Sequence, residues 1–229
     1  NAQSTMYGNG LALGTSAYTN TATATGVGLA GSDTISAVTL QYLSSATVSS
    51  SLAAGTYTSG IVASGATGTG GFNTTNYNIS YVANTLTVTQ RPITITPTAG
   101  QSKVYGESDP TLAYTPQANT TNAGLVGSDT FTGALSRATG ENVSSSYAIS
   151  QGTLANSNYS ITIAAANFAI TQRPITITAN AQSTMYGNGL ALGTSAYTNT
   201  ATATGVGLAS GDAISAVTLQ YLSLSLIHI

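Results

Sequence analysis

The feature that most constrains this chain is a stretch that occurs twice, Thr89-Gln90-Arg91-Pro92-Ile93-Thr94-Ile95-Thr96 and Thr171-Gln172-Arg173-Pro174-Ile175-Thr176-Ile177-Thr178. On both sides of each copy, apolar residues alternate with small or polar ones, which is the period of a half-buried β-strand. Leu86 and Val88 precede the first copy at even positions, whereas Ile93 and Ile95 follow it at odd positions. One continuous strand cannot hold both sets on the same face, because a shift of one residue turns every side chain over. Pro92 and Pro174 sit at the break. Proline donates no ladder hydrogen bond and pushes the residue before it towards extended geometry. The stretch therefore predicts a short, stiff joint at which the chain bulges, bends or changes domain.

The joint separates repeats. Residues 1–44 and 180–223 align without a gap at an offset of 179 and match at 41 of 44 positions, differing at Gly31/Ser210, Ser32/Gly211 and Thr34/Ala213. Between them, Arg91 to Gln172 forms an 82-residue unit of a second type with the same landmarks in the same order. Met6-Tyr7-Gly8 answers to Val104-Tyr105-Gly106, Gly31-Ser32-Asp33-Thr34 to Gly127-Ser128-Asp129-Thr130, and Asn76-Tyr77 to Asn158-Tyr159. The order is A-B-A. Residues 1–90 read as a type A repeat lacking its first strand, 91–172 as the type B repeat, and 173–223 as a truncated type A repeat. An Arg-Pro-Ile-Thr-Ile-Thr-Ala start would make type A 97 residues long, which together with 82 accounts for the offset of 179. After Ser223 the identity breaks abruptly into Leu224-Ser225-Leu226-Ile227-His228-Ile229, and 224–229 reads as a non-native tail from a broken reading frame.

Within type B, strands are predicted at Pro92 to Thr96, Ser102 to Tyr105, Leu112 to Thr115, Thr130 to Leu135, Tyr147 to Ser150, Tyr159 to Ile163 and Phe168 to Thr171. Turn residues separate them, as in Glu107-Ser108-Asp109-Pro110 and Thr139-Gly140-Glu141-Asn142. Many short β-branched and tyrosine-rich strands predict an all-β chain of tandem small antiparallel β-sandwiches, immunoglobulin-like, in an elongated array. A ubiquitin-like β-grasp repeat is the alternative; it needs a packed helix, for which the sequence offers only a short candidate near Asn122 to Val126. In type A, Thr19 to Gly28 and the glycine-rich Ser64 to Gly71 are expected to be loops.

Composition narrows function. Only ten residues are charged, among them Lys103, Arg91, Arg137 and Arg173, so the surface offers little electrostatic steering and nucleic acid is not expected as a partner. There is no cysteine, hence no disulfide framework or thiolate metal site. No run of 18 apolar residues suggests membrane insertion. The single histidine, His228, lies in the tail, so a Ser-His arrangement lacks its base. Glu107 and Asp109 could form a carboxylate pair, but Asp109 ahead of Pro110 is better read as an Asx turn. Asp33, Asp129 and Asp212 are single acids in glycine-serine turns, too sparse for calcium. Tyr7, Tyr18, Tyr42, Tyr57, Tyr77 and Tyr81 are candidates for stacking on sugars, although Tyr77, Tyr147 and Tyr159 better fit strand starts with hydroxyls on backbone, as in a tyrosine corner. No catalytic, cofactor or metal residues are expected, and the chain reads as non-enzymatic.

Arg91-Pro92-Ile93-Thr94-Ile95-Thr96, Lys103-Val104-Tyr105-Gly106-Glu107-Ser108-Asp109-Pro110, Leu112-Ala113-Tyr114-Thr115, Gly124-Leu125-Val126-Gly127-Ser128-Asp129 and Asn158-Tyr159-Ser160-Ile161 together resemble the MBG repeat domain of the Tyr-Gly-X type. Type A resembles it less closely, keeping Tyr7-Gly8 and the closing strands without the Asp-Pro turn. The resemblance implies a secreted or surface-attached bacterial protein of the filamentous-haemagglutinin-like adhesin kind, associated with the outer membrane and exported in a way that suits the lack of cysteine. It implies a stalk or spacer whose partners are its neighbouring repeats. The alternative is a multivalent binder of host glycan or surface and matrix protein.

Overall fold

A computed structural model describes residues 1–220; the 224–229 tail lies outside them. The first repeat contributes β1 (Gln3–Met6), β2 (Leu11–Ala12), β3 (Thr34–Gln41), β4 (Thr47–Val48), β5 (Gly55–Thr69) and β6 (Asn84–Thr89). The second contributes β7 (Arg91–Pro97), β8 (Ser102–Val104), β9 (Tyr114–Pro116), β10 (Ser136–Arg137), β11 (Ser144–Ser150), β12 (Tyr159–Ile163) and β13 (Asn167–Thr171). The third contributes β14 (Ile177–Ala179) and β15 (Tyr197–Asn199). The fold is all-β. Among the described residues the only helix is a 3-10 turn at Thr74–Asn76, so the packed helix of a β-grasp is not found.

Sheet order repeats between the two types. The first repeat builds β1-β6-β5-β3 and the second builds β8-β13-β11-β10, in each case with the outer strand parallel to its neighbour and the rest antiparallel. Ser4 faces Thr87 in one and Ser102 faces Ala169 in the other, the same register. A further sheet, β12-β7-β9, has β7 parallel to β12 and antiparallel to β9. The expectation of wholly antiparallel sheets is thus corrected to mixed sheets. Half-buried alternation looks the same in either direction of pairing, so the sequence pattern could not separate them.

The chain divides into two compact units, and the division follows sheets rather than repeat boundaries. One unit holds the first repeat with β12-β7-β9; the other holds β8-β13-β11-β10 with the described residues from Ala165 to 220. Within the first unit, β6 buries Leu86 and Val88 at even positions, and β7 buries Arg91, Ile93, Ile95 and Pro97 at odd ones. The break in parity falls at Gln90, where the chain passes from one sheet to another.

Two expected elements differ. Ser64 to Thr69 is strand, because β5 runs 15 residues and pairs with β3. Its glycines are there for close approach: a Cβ on Gly68 would lie 2.0 Å from the Thr34 carbonyl oxygen. Conversely, Thr130 to Leu135 forms no strand beyond an isolated bridge of Thr132 with Ala155. Gly133 takes φ +76°, with its backbone pressed on Thr153, and this breaks the run.

Candidate functional site

The joint is built on a buried arginine. Arg91 is 2% exposed, although Arg is almost never fully buried unless its donors are paired. Its guanidinium is enclosed by oxygens: Nε donates to Gly124 O at 3.0 Å, Nη1 to Tyr7 O and Asn9 Oδ1, both at 3.1 Å, and Nη2 to Asn119 Oδ1 at 2.8 Å, to Ala123 O at 3.2 Å and to Thr120 O. None of these acceptors is a carboxylate. The guanidinium's planar fork of five N–H donors suits such a cage, where a lysine ammonium would leave acceptors unmet. Four bonds reach the loop of its own repeat. The two from Nη1 reach the Tyr7-Gly8-Asn9 tripeptide of the preceding repeat.

Arg173 repeats the arrangement in the other unit. Nε donates to Gly207 O at 2.9 Å, Nη1 to Tyr105 O at 3.2 Å and Glu107 Oε1 at 2.6 Å, and Nη2 to Ala203 O and Val206 O. Tyr105-Gly106-Glu107 stands where Tyr7-Gly8-Asn9 stands for Arg91. The third residue of the tripeptide is neutral in one joint and acidic in the other. The Gly205 N–H at 2.8 Å and then the Arg173 guanidinium hold the Glu107 carboxyl below the usual range.

Each part of Tyr-Gly-X has a duty. The tyrosine carbonyl and the X side chain accept from the arginine. The glycine takes φ +85° at Gly8 and +80° at Gly106 and lets the next repeat close in: a Cβ would lie 2.5 Å from Val126 Cγ2 and 2.5 Å from Ala209 Cβ, respectively. The Tyr7 hydroxyl donates to Asp129 Oδ2 at 2.8 Å, and the same oxygen accepts from Tyr159 at 2.6 Å. The two tyrosine rings meet edge to face at 5.6 Å. Burial, followed by the Asp129 carboxylate, pushes the Tyr7 hydroxyl up and Tyr159 up to about 12. In the other unit the Tyr105 hydroxyl points to Asp212 at 3.4 Å. The third copy of the tripeptide supplies a contrast. Tyr7 is 6% exposed, whereas Tyr186 in the same local sequence is fully exposed, and a Cβ on Gly187 would meet nothing within 4 Å among the described residues. Burial of Tyr-Gly-X comes from the repeat that follows it.

Four further charges form one cluster. Lys103 pairs with Asp109 at 2.7 Å and with Glu141; Arg137 pairs with Asp109 at 2.7 Å and Glu141 at 2.7 Å. The Arg137 guanidinium also lies over the Tyr147 and Phe168 rings. The Arg137 fork, with help from Lys103, holds Asp109 down at about 2. This corrects the Asx-turn reading of Asp109, since its carboxylate is taken by two cations. It also separates Glu107 from Asp109, because Glu107 serves the Arg173 joint.

The tyrosines are largely engaged within the chain. Tyr147 donates to Asn142 O at 2.7 Å, as a tyrosine corner requires, but Tyr77 and Tyr159 donate to Asp33 and Asp129 instead. They accept backbone N–H groups from Ala30 and Val126. Tyr18 and Tyr57 donate to backbone carbonyls, and Tyr42 packs edge to face on Tyr57. Asp33 and Asp129, expected only as turn residues, anchor these tyrosines. The available signal was their recurrence in a Gly-Ser-Asp-Thr turn ahead of Asn-Tyr in both repeats, 44 residues before Tyr77 and 30 before Tyr159.

Arg91 and Arg173 thus each bond to the Tyr-Gly-X tripeptide that precedes them in the chain. Residues 93–169 match the family model of the MBG domain (YGX type), and the middle repeat belongs to that family. No curated protein and no solved structure matches the chain. Among the described residues no helix is long and apolar enough to cross a membrane.

Proposed function

We infer that this segment is a non-catalytic spacer in the stalk of a large bacterial surface or secreted adhesin. It is a tandem, elongated array of small immunoglobulin-like β-sandwich repeats that projects an adhesive region elsewhere in the protein. The observation that carries this reading is the joint: Gln90 alone separates β6 from β7, and the arginine beyond it is fixed by both repeats. A spacer needs such a joint, because a flexible linker would let the repeats fold back on one another. The intramolecular engagement of Tyr7, Tyr18, Tyr57, Tyr77, Tyr147 and Tyr159 favours a spacer over multivalent sugar stacking. Small-angle scattering of the full chain tests the reading. An elongated particle of fixed cross-section is expected, and a compact or freely hinged one overturns it.

A further inference from the structure

The two joints differ by one charge. Arg173 has a counter-ion, because the third residue of Tyr105-Gly106-Glu107 places Glu107 Oε1 at 2.6 Å from its Nη1. Arg91 has no carboxylate within ion-pair reach among the described residues, although Arg91 is buried and Arg173 only partly so. A cationic group taken out of water without a partner charge is costly, and neutral oxygens offset only part of that cost. The atom that stands where the Glu107 carboxylate stands is Asn9 Oδ1, 3.1 Å from Arg91 Nη1. It belongs to an amide, which differs from a carboxylate only in the amino group.

Asn9 is followed by Gly10, and the pair Asn-Gly occurs in this sequence only there and at Asn188-Gly189. Glycine carries no Cβ, so its backbone nitrogen approaches the preceding side-chain amide with the least obstruction. Three features of the fold favour that approach at Asn9. Gly10 is exposed and its N–H donates to nothing among the described residues, so the nitrogen is free of any ladder. Asn9 Oδ1 accepts from the guanidinium, which draws electron density from Cγ and steadies the negative charge that gathers on this oxygen when Cγ is attacked. Asn9 Nδ2 donates outward to Asn122 Oδ1 at 3.1 Å, an exposed contact from which a leaving amine passes straight to water.

We propose that Asn9 is a self-modification site, at which deamidation turns the neutral amide into the carboxylate that pairs with Arg91. The Gly10 nitrogen bonds to Asn9 Cγ and gives up its proton; the Cγ–Nδ2 bond breaks, and the amino group leaves with that proton as ammonia. A five-membered succinimide remains. Water then adds to Cγ and the bond from Cγ to the Gly10 nitrogen breaks, which restores the ordinary backbone with an aspartate at position 9. Opening at the other carbonyl would give isoaspartate, with the chain running through the side chain. The guanidinium directs water to Cγ, since it polarises that carbonyl with a full charge, whereas the backbone carbonyl of Asn9 accepts from the Thr5 hydroxyl at 3.3 Å. The carboxylate keeps the place of the amide, and the exposed Asn122 amide turns to donate where it accepted. The first joint then holds the same arginine–carboxylate pair as the second. The modification stands whether or not the array is a spacer.

The test is peptide mapping by mass spectrometry of the 229-residue chain kept for weeks in neutral buffer, with electron-transfer fragmentation to tell aspartate from isoaspartate. Conversion at residue 9 is expected, with aspartate in excess, and Asn188 in the same local sequence reports the progress of the reaction in the same sample. Gly10→Ala is the control on the route. An added Cβ there meets only Val48 O, at 3.3 Å, and the substitution should slow conversion at residue 9 at least about tenfold while leaving residue 188 unaffected. Asn9→Asp, made directly, should raise the melting temperature by at least about 2 °C at neutral pH. That difference from the parent should vanish below the carboxylate range, where the new acid is protonated. An intact Asn9 in a sample whose Asn188 is fully converted, isoaspartate in excess at residue 9, a rate untouched by Gly10→Ala, or an Asn9→Asp chain no more stable than the parent would each overturn the proposal.

Discussion

Gly8→Ala and Gly187→Ala form a matched pair that isolates what one repeat contributes to its neighbour. The residues around them are identical, Ser4 to Gly10 and Ser183 to Gly189, and the backbone angles nearly so, φ +85° and +87°. A side chain in the left-handed region is unfavourable by about 1–2 kcal/mol, and this term is common to both. Only Gly8 has a neighbour in the way, with Val126 Cγ2 at 2.5 Å and Arg91 Nη1 at 3.0 Å from the added Cβ. Neither can yield easily, since Val is stiff at its first torsion and Arg91 is held by six hydrogen bonds. Overpacking of this kind adds about 1–3 kcal/mol. Gly8→Ala should therefore destabilise by about 2–5 kcal/mol and Gly187→Ala by about 1–2 kcal/mol. Urea melts followed by tyrosine fluorescence read the totals. Hydrogen exchange locates the difference, with faster exchange expected at Gly124 and Leu125 in Gly8→Ala alone. Equal losses in the two variants, with unchanged exchange at those amides, would refute the docking role of Tyr-Gly-X.

Arg91→Ala leaves several buried neutral carbonyls without donors and should cost at least about 1–3 kcal/mol, the penalty for one such unsatisfied group, whereas Arg91→Lys, with three donors, should fall between it and the parent in urea melts; an Ala variant within about 1 kcal/mol of the parent would remove the cage as a stabilising element. Because the Asp109 carboxyl is depressed to about 2 in the fold, it contributes stability above the ordinary carboxylate range that is lost as pH falls through about 4 towards about 2. Asp109→Asn should flatten that acid limb of a stability-against-pH curve, and an unchanged limb would count against the cluster. Tyr159 has the opposite sign. Raised to about 12, it contributes stability that is complete below about 10 and is lost as pH rises through about 12. Absorbance titration at alkaline pH should show a late-ionising group of tyrosines that loses one member in Tyr159→Phe.

The parity break at Gln90 and the positions of β7, β11, β12 and β13 were legible from alternation, because a half-buried strand must alternate. The direction of pairing was not, since β6 and β7 each have one parallel and one antiparallel neighbour and the same Ile-Thr pattern serves both. The arginine of the joint was visible as an isolated charge beside proline. Its acceptors were not, for Tyr7 and Asn9 lie 84 and 82 positions away and contribute a carbonyl and a neutral amide, groups with no charge signature. Co-occurrence of Tyr-Gly-X in one repeat with Arg-Pro in the next was the usable clue. Glycine misled in both directions. In Gly65 to Gly71 it permits strand contact, and at Gly133 it ends one, because the residue carries no record of which backbone it must approach.

The exposed Tyr186-Gly187-Asn188 bears on how such arrays change length. Tyr7-Gly8-Asn9 receives a type B arginine, and Tyr105-Gly106-Glu107 receives a type A arginine. The arginine and the tyrosine carbonyl that accepts from it are therefore common to both orders, and only the X side chain differs, Asn9 in one and Glu107 in the other. Cutting or inserting between any Thr-Gln and Arg-Pro leaves every internal tripeptide with an arginine. Recombination between near-identical copies would then preserve the tripeptide-to-arginine contact at the new junction.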